Sequence, residues 1–233
     1  MIALAVVAGA GAALGALTAG TYYPNAPLFG PVIGRGPRRR RELYLTFDDG
    51  PNPSATGAVL ETLERYGVPA AFFVVGAHVR RHPELALQLV EAGHEIGNHT
   101  EHHLKLHRHG PRRIRSEMTD AHRVIAEVVG LPPRAFRAPH GYRNPFVGVM
   151  ACRLGYRVFG WTFGVWDSAR PGAEVIRRRV RAHLQAGAII LLHDGDGYDP
   201  AGDRRQTAAA LPGIIQDAWD SGYVFRPLGT LLA

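Results

Sequence analysis

Cysteine is all but missing: Cys152 is the only one in 233 residues, which excludes an internal disulfide framework. Its neighbours, Val149 to Leu154, read as a helix, so Cys152 is expected to be a core thiol. Lysine is scarce too. The formal charge of +7 and the isoelectric point near 10.1 are carried by arginine, with Arg35, Arg38, Arg39, Arg40 and Arg41 supplying much of it. Such a balance favours an anionic surface. Nucleic acid is not expected as the partner, because it would explain the charge and leave the ordered acids and histidines described below without a purpose. No Gly-x-Gly-x-x-Gly follows the first strand candidate, so a dinucleotide-binding α/β fold lacks support. Low-complexity tracts and solenoid repeats are absent from the domain. What remains, 46% hydrophobic and 20% charged, suits one globular core with an appendage.

The appendage is residues 1–20, which contain no charged side chain and are long enough to cross a bilayer as a helix. They read as a transmembrane anchor or a signal segment. The missing basic n-region favours an uncleaved anchor, although the small residues near Leu17-Thr18-Ala19 could serve cleavage. The basic cluster at Arg38 to Arg41 lies where the positive-inside tendency resists export; it reads as a solvated linker end or a contact with anionic headgroups. Tyr, Pro, Gly and Asn without periodicity mark 21–41 as a linker ending in that cluster. The folded domain is expected over 42–233.

Within it, short apolar runs alternate with amphipathic stretches. Strands are expected at Leu43 to Leu45, Ala70 to Val75, His94 to Gly97, Ala135 to Arg137, Arg157 to Gly160, Ala188 to Leu192 and Tyr223 to Phe225. Helices are expected near Pro53 to Tyr66, Pro83 to Ala92, Pro111 to Val129, Pro145 to Leu154, Ala173 to Ala186 and Thr207 to Ser221. Several open on proline and most are closed by glycine. Six or seven βα units imply a parallel sheet of the α/β class, and a shortened barrel fits better than an open, doubly wound sheet.

Chemistry concentrates at the C-terminal ends of those strands, where α/β folds gather ligands. Thr46-Phe47-Asp48-Asp49-Gly50-Pro51 sets two carboxylates at a strand end, pointing in different directions; a plain Asp-Asp-Gly-Pro turn is the bland alternative. Gly97-Asn98-His99-Thr100-Glu101-His102-His103 follows the third strand. In a helical turn, His99 and His103 share a face and could meet Asp49 at one metal, with His102 as a rival ligand. Two imidazoles and a carboxylate suit Zn²⁺, and Co²⁺, Ni²⁺ or Fe²⁺ could bind as well. Asp194 to Asp203 has the alternating acids of a calcium loop but not the closing Glu, and reads as a rim loop with Tyr198 free to stack on a sugar.

These motifs, continued by Arg137-Ala138-Pro139-His140-Gly141, Trp161 to Asp167 and Leu191-Leu192-His193-Asp194, resemble in order the five motifs of the polysaccharide deacetylases, carbohydrate esterase family 4 or NodB-homology domain. The resemblance spans nearly all of 42–225. It implies a distorted, shortened (β/α)7-type barrel behind the N-terminal hydrophobic helix, and a divalent-metal hydrolase that removes N-acetyl, or O-acetyl, groups from a polysaccharide such as chitin-like oligomers or peptidoglycan. It makes Asp48 the general base, Asp49, His99 and His103 the metal ligands, Arg137 the partner of Asp48, His193 the general acid and Asp167 the carboxylate behind it. It gives the His140 backbone N–H to the oxyanion, with Leu191 and Trp166 or Trp161 walling the acetyl methyl. Two positions depart from the family pattern: His140 replaces the tyrosine of many relatives, and Ser168 follows Asp167 where tryptophan is usual, which puts substrate preference in doubt. On this resemblance the catalytic domain lies outside the membrane that anchors it, or is secreted if the segment is cleaved. A silent carbohydrate-binding protein and a metal-dependent amidase acting on a non-sugar are the alternatives.

Overall fold

A computed structural model describes residues 2–232, with side chains from residue 11 onward, residue 12 excepted. Eight helices and eight short strands follow one another in this part of the chain. They are α1 (Ile2–Tyr22), β1 (Glu42–Asp48), α2 (Thr56–Tyr66), β2 (Ala70–Val74), α3 (Gly76–Arg81), α4 (Pro83–Glu91), β3 (Glu95–Asn98), α5 (Pro111–Val129), β4 (Ala135–Phe136), α6 (Pro145–Arg153), β5 (Arg157–Val158), β6 (Phe163–Gly164), α7 (Ala173–Ala182), β7 (Ala188–His193), α8 (Arg205–Asp220) and β8 (Val224–Phe225). The strands run parallel in the order β5-β4-β3-β2-β1-β7-β6, with β8 paired to the base of β1. The result is a curled, seven-stranded half-barrel wrapped in helices, a distorted (β/α)7 barrel.

Alternation along β1 separates the core into two. Leu43, Leu45 and Phe47 face outward into the layer of helices, among Val59, Leu63, Phe72, Ile190 and Leu211. Tyr44 faces inward with Phe73, Phe159 and Ile189, and so do Thr46 and Asp48. The inside of this barrel therefore changes from apolar at its base to polar at its rim, and the register decides which polar groups meet. Asp48 pairs with His193 across β1 and β7, and Asn98 lies beside Phe136 across β3 and β4. One residue further out, His99 and Arg137 arrive at the same rim.

The sheet is open between β5 and β6, and the stretch expected to be a linker closes this seam. Ile33 pairs with Phe159, Arg35 pairs with Ala188, and the Thr162 hydroxyl donates to the Gly34 carbonyl at 2.9 Å. Residues 24–36 are thus part of the folded body. The cluster at 38–41 is tied to the barrel base as well, since Arg41 donates to the Ser221 carbonyl at 2.8 Å and lies over the Tyr223 ring. Turn chemistry hid both contacts, because a strap built from prolines and glycines has no periodicity. The helix predicted around Cys152 is α6, but the thiol is exposed; Val147, Met150 and Ala151 turn the buried face the other way. Among the described residues no helix is long and apolar enough to cross a membrane. The anchor expected at 1–20 falls mostly on residues whose side chains lie outside the described ones.

Candidate metal-dependent hydrolase site

Asp48 is buried where β1 ends. One oxygen, Oδ1, accepts a hydrogen bond from Arg137 at 2.6 Å, while Oδ2 lies 3.7 Å from Nε2 of His99. Arg137 is wholly buried and gives two further hydrogen bonds, from Nη1 to Thr46 Oγ1 at 2.9 Å and from Nη2 to the Gly160 carbonyl at 2.8 Å. Its guanidinium also sits 4.1 Å from the centre of the Phe73 ring, a cation–π contact. A guanidinium locked on four sides fixes one carboxylate oxygen and leaves the other facing the cavity.

Asp49, the next residue, turns the opposite way because its backbone is left-handed, φ 75°. Its Oδ1 lies 3.0 Å from Nε2 of His103 and 3.3 Å from Nε2 of His99. That buried oxygen nevertheless accepts no hydrogen bond of proper geometry among the described residues. Burial opposes ionisation of Asp49, but His103 and His99 outweigh it and hold the carboxyl well below the usual range. The Nδ1–H of His99 donates to the Arg137 carbonyl at 2.8 Å, which leaves Nε2 bare and aimed at Asp49. Three donor atoms within 4.8 Å of one another, one an orphaned carboxylate oxygen and two imidazole nitrogens, fit a divalent cation.

The two histidines do not share a helical turn, as the spacing suggested. Residues 99–103 form a loop in which Thr100 and His103 take left-handed φ of 71° and 54°, and these reversals bring the rings within 5.1 Å of each other. His102 is no rival: its Nδ1 lies 2.9 Å from Glu117, away from the cluster.

Across the cavity, Asp167 is fully buried and holds His193. Its Oδ1 accepts from Nδ1–H of His193 at 2.9 Å, and Oδ2 accepts from the His193 backbone N–H at 2.8 Å and from Thr207 Oγ1 at 3.0 Å. Burial alone would pull His193 down; the Asp167 carboxylate, with Asp49 and Asp48 behind it, pushes it up to about 9. At neutral pH it is therefore an imidazolium with Nε2–H free to donate.

The cavity between these groups, about 370 Å³, is lined by Asp48, Asp49, His99, His103, His193, His140, Leu191, Trp161, Trp166, Ser168 and Tyr198. Leu191 is buried. Trp166 is 77% exposed with left-handed backbone, a rim residue rather than a buried wall, while Trp161 stands deeper. Tyr198 is committed more than expected: its hydroxyl shares a 2.8 Å hydrogen bond with Nε2 of His140, and its ring meets His103 edge-on. Burial, His103 and Lys105 drive His140 down to about 4, so its ring is neutral. The acids of the rim loop are engaged locally, Asp196 accepting from Arg204 and from two backbone N–H groups, Asp199 from the Ala201 N–H, and Asp203 pairing with Arg205 at the surface.

Three supporting residues escaped the sequence reading. Thr46 and Thr207 each place a hydroxyl behind a carboxylate pair. Asp194 is buried against Gly50, where any Cβ would meet its carboxylate oxygen, and accepts from Thr56 at 2.6 Å; burial pushes it up to about 7. The strand alternation of β1 could have flagged Thr46, which shares a face with Asp48. Thr207, on a helix distant in sequence, left no local signal.

Fold and site together define a class: a parallel barrel in which Asp49, His99 and His103 could hold a metal ion, between a carboxylate held by arginine and a histidine held by aspartate. The family model "Polysaccharide deacetylase" matches residues 35–159, and the chain belongs to that family. It is 40% identical over 200 residues to a chitooligosaccharide deacetylase of Bradyrhizobium sp. (strain ANU 289), covering 82% of this chain and 90% of the relative. It is 37% identical over 205 residues to a peptidoglycan-N-acetylglucosamine deacetylase of Bacillus cereus, covering 87% and 93%. Among solved structures it resembles BA3943 of Bacillus anthracis, a family 4 pseudoenzyme, with a TM-score of 0.78 at 26% identity, covering 86% of this chain and 68% of that one.

Proposed function

We propose that the chain is a metal-dependent deacetylase that hydrolyses N-acetyl groups on an amino-sugar polymer. Relatives named for chitooligosaccharide and for peptidoglycan N-acetylglucosamine bound the substrate class. The family resemblance to a pseudoenzyme means that fold alone does not support activity; the residues must. The observation that carries the reading is the buried, hydrogen-bond-free Oδ1 of Asp49 facing the Nε2 atoms of His99 and His103, with a proton acceptor and a proton donor on either side.

Asp49, His99 and His103 would hold the cation, Zn²⁺ being the ion this donor set suits best. A bound divalent cation supplies Lewis acidity, making water a nucleophile at neutral pH and polarising the acetyl carbonyl. Asp48 takes the proton of the attacking water on Oδ2, while Arg137 holds Oδ1 and keeps the carboxylate from rotating. The His140 backbone N–H, presented by a left-handed residue after Pro139, donates to the developing oxyanion. His193 gives its Nε2 proton to the departing sugar nitrogen, and Asp167 stabilises the imidazolium until that moment. Leu191 and Trp161 bound the acetyl methyl, with Trp166 at the mouth and Ser168 leaving extra room. The chain would work outside the membrane, anchored by residues 1–20 or secreted if they are cleaved.

Metal content and acetate release test this on the whole chain, with N-acetylated chitooligosaccharides and peptidoglycan as substrates. Asp48→Asn should retain metal and lose turnover by at least about 100-fold; His99→Ala should lose both. Normal turnover in Asp48→Asn would remove the base assignment. A wild-type chain that binds metal and sugar but releases no acetate would leave a silent carbohydrate-binding protein.

A further inference from the structure

The end of α1 is fastened beside the catalytic cleft. The Tyr22 ring meets Tyr142, which lines the cavity, and His107 edge-on, each at 5.2 Å. The Arg143 backbone N–H donates to the Thr21 carbonyl at 3.1 Å, and the buried Arg143 side chain donates to the carbonyl of Ala26. Beyond it, the Phe29 carbonyl lies over Gly148 of α6, where no Cβ would fit, and Leu28 packs on Gly20. The helix end, the strap and α6 therefore form one continuous surface.

That surface is apolar. Tyr22, Tyr23, Leu28, Phe146 and Val149 are each between 45% and 60% exposed, and Leu14 and Leu17 continue the patch along α1. Seven of the thirteen large hydrophobic side chains exposed among the described residues lie here, a concentration that scattered exposure does not explain. Its border is cationic. Lys105 and Arg108 flank His107, Arg153 follows Val149 by one helical turn, and all three are exposed and free of carboxylate partners among the described residues. No acidic residue precedes Glu42 and none lies in α6, while the nearby Glu101 and Glu117 are buried and paired with Arg80 and Arg113.

We infer that this face, Tyr22, Tyr23, Leu28, Phe146 and Val149 ringed by Lys105, Arg108 and Arg153, lies on an anionic phospholipid surface and seats the catalytic cleft against the bilayer. The inference rests on the reading of residues 1–20 as a membrane segment and adds an orientation to it. Tyrosines at the end of an uncharged helix suit the headgroup layer, and the cationic border gains from anionic lipid. With Tyr142 shared between helix end and cavity, the cleft meets glycan that lies close to the membrane.

A fluorophore at Val149→Cys in a Cys152→Ser chain, compared with one at Glu61→Cys on the remote helix α2, tests the orientation. Full-length protein is mixed with vesicles of phosphatidylcholine and phosphatidylglycerol carrying brominated acyl chains. Severalfold stronger quenching at position 149 than at 61 is expected, falling when phosphatidylglycerol is omitted or when Lys105→Glu and Arg108→Glu are combined. Equal quenching at both sites, no quenching at 149 in protein that floats with the vesicles, or no flotation at all overturns it. So does shielding of the label at 149 without vesicles, which marks a second copy on the face. Acetate release from a soluble N-acetylated oligomer, unchanged in the labelled chains, reports folding; its absence in the parent chain with quenching intact would sink the deacetylase reading alone.

Discussion

The rim and the base of this barrel solve the same backbone problem with different residues. At the base, helices end on left-handed glycines, Gly67 after α2 and Gly130 after α5, where an added Cβ would meet nothing within 4 Å. At the rim, left-handed backbone is taken by Asp49, Thr100, His103, His140 and Trp166, five of the six non-glycine residues with positive φ among those described. Each such residue costs about 1 kcal/mol or more. The base uses glycine because only the turn matters there, whereas the rim accepts strain because the turn must also aim a side chain. Buried charge is concentrated at the rim as well: Asp48, Asp49, Arg137, Asp167 and Asp194 are all nearly inaccessible there, while Asp217 near the end of α8 is a buried exception and is paired with Arg177.

The largest effect expected from breaking this contrast is at Arg137. Arg137→Met leaves Asp48 buried without its guanidinium, which should cost about 3–5 kcal/mol of stability and abolish turnover. Adding Asp48→Asn to Arg137→Met should recover much of the stability and none of the activity. Urea denaturation midpoints of the three variants check it, and strict additivity would show that the pair does not act as a unit.

Asp167→Asn comes next and sharpens the electrostatic half of the comparison. His193 titrates near 9 in the folded chain against about 6.5 when unfolded, so the pair's stabilisation is complete below 6.5 and is lost as pH rises through 9. Turnover should follow the same proton and fall on the alkaline side near pH 9. In Asp167→Asn that limb should move toward neutral pH, with turnover at pH 7 reduced by tens to hundreds of fold and metal content unchanged. A pH profile unmoved by the substitution would take the general-acid role away from His193.

The base was far more legible in the sequence than the rim. Glycine closures, proline starts and apolar runs express local physics, so the long helices and the strands β1, β2 and β7 lie where periodicity put them. The order of the motifs then placed Asp48, His99, Arg137 and His193 at one end. Two-residue β6 carries too little pattern to be read, and the strap at 24–36 binds through carbonyls and prolines that look like a linker. The helical turn expected for His99 and His103 failed for a similar reason: left-handed backbone at Thr100 and His103 contradicts local preference and is imposed by packing, including Gly197, where any Cβ would strike the His103 ring. Exposure of Cys152 was hidden by a helix whose apolar residues surround it on more than one face.

The smallest expected effect tests whether the base is as indifferent to function as its glycines imply. Gly67→Ala puts a Cβ into open space at φ 62°, so the cost is backbone strain alone, about 1 kcal/mol, with acetate release and metal content unchanged. Thr100→Gly reverses the experiment at φ 71°: it relieves comparable strain and removes a hydroxyl that has no partner, so stability should hold or rise. The loop that aims His99 and His103 then has more freedom, and metal affinity should fall. Thermal melts of the metal-free chains beside metal titrations separate the two outcomes. If Thr100→Gly bound metal as tightly as the parent, the left-handed threonine would be a packing accident, and the division between a strained rim and a relaxed base would lose its functional meaning.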